Sequence, residues 1–163
     1  MEHLRIGIVG NIGAGKSTLV KAAITAPLDR VLLSTIPHFE EEGMKVHAFQ
    51  EEFNPTVLDA FYEDPVSNAF MAQIEFLNGR LDRQRKIQGC KGIVLEDRTL
   101  AEDYYIFGLA QMTLGNFTEA EFLAYQRTYE LMTREIPQPD IIVYLTCSTQ
   151  TQPDRLRLRG RAS

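Results

Sequence analysis

The chain has no apolar run long enough to cross a bilayer as a helix, which excludes a membrane-spanning helical segment. It has only two cysteines, Cys90 and Cys147, without metal-ligand spacing, so a cysteine-based metal centre is excluded. Reduced thiols in a cytoplasmic protein are the expectation. Positive charge is not in surplus. Lys and Arg total 17 against 22 Asp and Glu, a formal net charge of -5, which argues against a general nucleic-acid binder. There is no internal repeat and no low-complexity stretch, and the N-terminus runs straight into an apolar strand, so no signal peptide is expected. A hydrophobic content of 44% and a charged content of 24% over 163 residues are ordinary for a globular protein, and the length suits one domain, residues 1–163, with a core.

Against these absences stands Gly10-Asn11-Ile12-Gly13-Ala14-Gly15-Lys16-Ser17, which fits G-x-x-x-x-G-K-[ST], the phosphate-binding P-loop. Leu4–Val9 before it reads as a short apolar strand, and Thr18–Ile24 after it reads as a helix. The glycines let successive backbone N–H groups converge on a polyphosphate at the positive end of a helix dipole. Lys16 would reach the β- and γ-phosphates of ATP, and the Ser17 hydroxyl would sit on Mg²⁺. A glycine-rich turn that binds nothing is improbable when Lys and Ser both follow in a strand–loop–helix frame.

Further along, residues 29–42 read as mostly helical with an interruption near Pro37, and Lys45–Phe49 reads as a second strand. Glu51 and Glu52 follow at its carboxyl end, where open α/β sheets bind ligands. A carboxylate there suits a general base, although spacing alone favours a solvated acidic turn. A long helix is predicted from about Val66 to Gln88, with Phe70, Ile74, Leu77 and Leu81 forming a buried stripe and Gln73 at its edge. Arg80, Arg83 and Arg85 read as its solvated face. Gly92–Leu95 is a third strand, running into Glu96-Asp97-Arg98-Thr99. Asp97 suits a Mg²⁺ ligand there and Arg98 an oxygen-binding partner.

Leu100 to about Thr113 reads as helical. Asp103 on it is placed to pair with a substrate or with Arg98. Thr118-Glu119-Ala120-Glu121 is a capping box opening a helix that carries Phe122, Tyr125, Tyr129 and Met132 on one core-facing side, with Pro137 and Pro139 ending it. Ile141–Leu145 is a fourth strand, apolar enough for burial in a parallel sheet. Arg155, Arg157, Arg159 and Arg161 then put four guanidinium groups into seven residues, either closing over a triphosphate or forming an exposed basic tail. Alternating strands and helices imply right-handed βαβ units, hence an α/β fold with a mostly parallel sheet flanked by helices.

Taken in order, these motifs resemble the deoxynucleoside kinase family. GNIGAGKST is typical of its P-loop. Residues 54–77 (NPTVLDAFYEDPVSNAFMAQIEFL) resemble its NP-x-L-x-x-FY-x-DP segment, residues 97–107 (DRTLAEDYYIF) its DRS-x-x-ED segment, and residues 139–161 its fourth strand and R-I-x-x-RGR lid. The DR form is similar to that of bacterial deoxyadenosine and deoxyguanosine kinases. The resemblance implies a three-layer P-loop kinase fold that phosphorylates a deoxynucleoside 5′-hydroxyl with ATP and Mg²⁺, in a protein that binds neither nucleic acid nor membrane and forms a homodimer.

The resemblance also implies residue roles. Gly10, Asn11, Gly13, Ala14, Gly15, Lys16, Ser17 and Thr18 would hold ATP, with Arg155 and Arg159 from the lid. Glu51 would be the base on the 5′-hydroxyl, with Glu52 close behind it. Tyr62 would contact the sugar, Gln73 the base, Arg98 the 5′-oxygen, and Asp97 the Mg²⁺. Asp103 would bias the base pocket, and Arg161 falls in the lid. In the family a lid glutamate, a further helix and a fifth parallel strand follow, whereas this sequence stops at Ala162-Ser163, so a sheet lacking the C-terminal strand is expected.

Two other functions compete. A nucleoside monophosphate kinase of thymidylate type shares the P-loop, the DR pair and the lid, but an acidic junction at Gln50-Glu51-Glu52 is a poor place for an acceptor phosphate. A nucleotide-binding module with little catalysis is the second alternative, opposed by the intact Lys16, Ser17, Asp97 and Arg98.

Overall fold

A computed structural model describes residues 3–148 and residue 150. Arg155, Arg157, Arg159 and Arg161 lie outside the described residues. The chain divides into two compact units, Met1–Glu51 with Cys90–Arg98 and Pro139–Ser163, and Glu52–Gly89 with Thr99–Gln138.

The first unit is built on four parallel strands: β1 (His3–Gly10), β2 (Lys45–Phe49), β3 (Gly92–Asp97) and β4 (Ile141–Leu145). Their order is β2-β3-β1-β4. Both long connections into β3 and β4 are therefore crossovers, as parallel pairing requires. The register pairs His3 with Gly92 and Ile8 with Asp97, Ile6 with Ile141, and Lys45 with Gly92. Every residue of β3 is buried, in keeping with its central place.

Strand alternation sends Leu4, Ile6, Ile8, Val46, Ala48, Ile93, Leu95, Val143 and Leu145 into one cluster with Val20, Ala23 and Phe39. Those last three come from α1 (Lys16–Ala22), its last turn, and α3 (Pro37–Glu41), while α2 (Leu28–Ser34) adds Leu32 and Leu33. The burial expected for β4 is not seen. Among the described residues it is an edge strand, with Ile141, Ile142 and Tyr144 exposed at 44%, 53% and 63%. Apolar composition sets strand propensity, but the place in the strand order decides coverage.

The second unit is helical: α4 (Pro55–Glu63), α5 (Pro65–Gln88), α6 (Leu100–Glu102), α7 (Leu109–Thr113) and α8 (Glu119–Thr133). Its starts are chemically marked. Asn54 and Asp64 cap α4 and α5 with side-chain oxygens on the backbone N–H groups of Thr56 and Ser67, each followed by Pro at the first helical position. Thr118 and Glu121 form the expected capping box of α8. The core gathers Ala69, Leu77 and Leu81 of α5, Leu100, Phe117, Tyr125 and Tyr129, with Phe70, Ile74 and Phe122 packed against it.

The helical stretch expected over residues 100–113 is present, with a change of winding inside it. Asp103–Gly108 makes a π-helical turn between α6 and α7. Such a turn carries one residue more than an α-turn and redirects the side chains that follow.

Candidate functional site

β1 ends at Gly10, whose φ of +143° only glycine adopts readily, and a Cβ there would run into the carbonyl oxygen of Leu145 on the neighbouring strand. The loop then curls through Gly13 and Gly15 at φ +83° and +100° into α1. Lys16 is buried, and its ammonium donates to the carbonyls of Gly10 (2.8 Å) and Asn11 (3.0 Å), so the charge lies folded over the loop. The Ser17 hydroxyl donates to Asp97 Oδ2 at 2.5 Å. The parallel register carries Asp97 to this point by pairing β3 beside β1.

One residue on, Arg98 has φ +66°, a left-handed conformation uncommon for a side chain of its size. Its N–H donates to the Ile8 carbonyl at 3.0 Å, which ties the turn to β1. Its Nε donates to Glu51 Oε2 at 3.1 Å. Of the two candidate carboxylates Glu51 therefore meets Arg98, while Glu52 is exposed and stands 3.9 Å from Lys86. Below them Arg5 and Glu96 make a buried ion pair at 2.9 Å. The unit thus brings a phosphate-type loop, a hydroxyl–carboxylate pair and a carboxylate–guanidinium pair to the carboxyl ends of β1, β2 and β3.

In the second unit Gln73 and Arg80, two turns apart on α5, are both buried. The Arg80 guanidinium pairs with Asp103, the fully buried first residue of the π-turn. This corrects two expectations. Asp103 has Arg80 as its ion-pair partner, and Arg80 and Arg83 are buried rather than solvated; only Arg85 fits that description, pairing with Asp82 at the surface. Arg80 does not stand out as a site residue in the sequence, because its spacing with Arg83 and Arg85 suggests a solvated face. The signal was its spacing, since Gln73, Leu77, Arg80, Gln84 and Ile87 step by four, three, four and three along a second buried face.

Among the described residues, neither Gln73 Oε1 nor Asp103 Oδ2 has a hydrogen-bond partner. Leaving buried acceptors unmatched is costly, which makes both oxygens candidates to accept from donors beyond the described residues. Tyr62 is exposed at 57%, with its ring against Phe61.

The Tyr125 phenol, wholly buried, donates to the Asp103 carbonyl at 3.1 Å, and burial pushes its pKa well above the ordinary value. Burial likewise raises the Cys90 thiol. Neither Cys90 nor Cys147 is in a disulfide. No helix of the described residues is long and apolar enough to cross a membrane.

Residues 6–163 match the family model described as deoxynucleoside kinase. Deoxyadenosine kinase of Dictyostelium discoideum is 31% identical over 163 residues, covering 99% of this chain and 59% of that protein. Deoxyadenosine/deoxycytidine kinase of Bacillus subtilis (strain 168) is 29% identical over 158 residues, covering 96% of this chain and 65% of that one. The chain thus spans about three fifths of the length of these curated relatives. Among solved structures, deoxyadenosine kinase from M. mycoides with bound dATP superposes with a TM-score of 0.69 at 29% identity, over 98% of this chain and 73% of that one.

Proposed function

The chain belongs to the deoxynucleoside kinase family, and on that premise we propose that it transfers the γ-phosphoryl group of ATP to the 5′-hydroxyl of a deoxynucleoside by in-line displacement. The observation that carries this is the Glu51–Arg98 pair at 3.1 Å, held one residue beyond the Asp97 carboxylate that meets Ser17. Glu51 accepts the proton of the 5′-hydroxyl, and Arg98 orients the carboxylate and shares charge with the attacking oxygen. Lys16 exchanges the carbonyls of Gly10 and Asn11 for β- and γ-phosphate oxygens, and its charge then spreads onto the transferring group. An acidic residue at the acceptor position favours a neutral hydroxyl over an acceptor with its own phosphate, which argues against the monophosphate kinase reading.

Mg²⁺ fits the residues present. A serine hydroxyl and an aspartate carboxylate in contact offer hard oxygen ligands, and Mg²⁺ in such sites takes one or two protein oxygens, with phosphates and water completing its shell. Ser17 and Asp97 would hold it, and when bound it would supply neutralisation of negative charge on the phosphates.

Gln73 and Asp103, buried with unmatched acceptor oxygens, suit the donor groups of a nucleobase, with Arg80 fixing the Asp103 carboxylate, and Tyr62 suits the sugar. Arg155, Arg159 and Arg161 belong to the proposed lid. Exposed Met71 on α5 and Leu123, Leu131 and Met132 on α8 support a homodimer built on these helices. Cys90 and Cys147, neither of them disulfide-bonded, support a cytoplasmic location.

The test is phosphoryl transfer from labelled ATP with Mg²⁺ to each of the four deoxynucleosides and, in parallel, to their 5′-monophosphates. Transfer to a nucleoside that disappears in Lys16→Ala is expected. Transfer to monophosphates alone would overturn the acceptor assignment, and bound ATP without transfer would favour the binding-module alternative.

A further inference from the structure

Asp103 is set in place by more than its ion pair. It opens the π-turn Asp103–Gly108, and its backbone carbonyl receives the Tyr125 hydroxyl from α8 at 3.1 Å. The ring of Tyr125 lies beside Gly108 at the other end of the same turn. A Cβ added to Gly108 would come within 2.6 Å of Tyr125 Cε1, closer than packed carbons approach. The next residue, Tyr104, is stacked between α8 rings, at 5.9 Å from Phe122 and 5.2 Å from Tyr129. One side chain, fully buried, therefore touches both the first and last residues of the turn, and contacts the first through its main chain rather than its carboxylate.

A π-turn is a rare and poorly bonded alternative to α-helix and persists where the surroundings over-determine it. Here the hydroxyl supplies a donor to the first carbonyl of the turn, and the ring occupies the space that only a glycine at position 108 leaves open. If the segment relaxed to α-helix, the residues before and after the turn would rotate by about 100° relative to one another, and Asp103 could not keep the setting that aims Oδ1 at Arg80 while Gly108 kept its contact with Tyr125.

We propose that Tyr125 is a positioning residue for Asp103: its hydroxyl on the Asp103 carbonyl and its ring on Gly108 hold the π-turn in the register that directs the carboxylate, and so tune base preference. The effect on base preference rests on the reading of Asp103 as a base-recognising group; the positioning of the carboxylate does not.

Tyr125→Phe keeps the ring and removes the hydroxyl, and Tyr129→Phe removes a hydroxyl one turn away on the same helix as the control. Far-UV circular dichroism establishes that both remain folded. The first readout needs no turnover: the ¹³C resonance of the Asp103 carboxyl, assigned through Asp103→Asn, is expected to move in Tyr125→Phe and to stay in Tyr129→Phe. The second is the ratio of kcat/KM values between deoxyadenosine, deoxyguanosine and deoxycytidine. It is expected to change by about three- to tenfold in Tyr125→Phe, the worth of one hydrogen bond, with KM for ATP unchanged. An unmoved carboxyl resonance overturns the proposal. So does an unchanged base ratio in Tyr125→Phe when Asp103→Asn changes it. A carboxyl that moves while Asp103→Asn leaves base preference untouched supports the positioning and overturns the base-recognition reading.

Discussion

Asp103 and Arg80 are buried together, and neither charge is tolerable there without the other. Arg80→Met is expected to destabilise the protein by about 3–5 kcal/mol, because it strands a carboxylate in the core. Adding Asp103→Leu is expected to restore most of that loss. Urea melts of the single and double variants measure both, and a double variant as unstable as the single would refute the pairing argument. At the proposed base, Glu51→Gln is expected to lower kcat by about 10²–10⁴-fold with ATP affinity kept. Glu52→Gln, whose side chain points toward solvent, is expected to stay near wild type. Single-turnover kinetics with equilibrium ATP binding separates the two. Sequence placed both acids at the end of β2 but left their ranking open, since adjacent residues differ in direction and not in spacing.

At the scale of elements, α8 does two jobs. Its start is a capping box in which the Thr118 hydroxyl (2.7 Å) and N–H (2.8 Å) both donate to Glu121, and these bonds hold the Glu121 pKa below its usual 4.5. A depressed carboxyl pKa means that the stabilisation is whole above the unfolded value and fades as pH falls through the folded one. The gap in urea midpoint between wild type and Glu121→Gln is therefore expected to be constant near neutrality and to shrink below about pH 4.5. Its middle is Tyr125, whose buried phenol has a raised pKa. The sign is opposite: that contribution is intact below the ordinary phenol value of 10 and is lost as pH rises past it. Wild type is expected to lose stability above pH 10 more steeply than Tyr125→Phe, which alkaline melts would show. The capping box was legible in four residues. The π-turn was not, because the ring and hydroxyl that meet its two ends come from α8, outside residues 100–113.

For the whole molecule, the net charge of -5 keeps nonspecific affinity for polyanions low, while the apolar side chains exposed on α5 and α8 favour self-association. Light scattering is expected to return twice the chain mass, and Leu123→Glu with Leu131→Glu to halve it while leaving the circular dichroism spectrum intact. A wild type of single-chain mass would remove the homodimer from the proposal. The exposed edge of β4 belongs to this scale as well: Ile141, Ile142 and Tyr144 are strand formers whose coverage depends on what lies beside them, and no local pattern reports that.

The sequence by itself determined the features whose causes lie within a few residues. Glycines at positive φ with Lys16 and Ser17 after them make the P-loop, Thr118 and Glu121 cap α8, and Asn54-Pro55 and Asp64-Pro65 begin α4 and α5. It also marked the carboxyl ends of β2 and β3 as the place for chemistry, since alternating strands and helices imply a parallel sheet. Only the tertiary structure decided the strand order β2-β3-β1-β4, the pairing of Glu51 with Arg98 across 47 residues, and the contact of Ser17 with Asp97 across 80. It also decided the burial of Arg80 against Asp103 across 23. The physical reason is that caps and turns are satisfied by neighbours in the chain, whereas a buried charge is satisfied by whichever group the fold delivers, and periodicity carries no record of that partner.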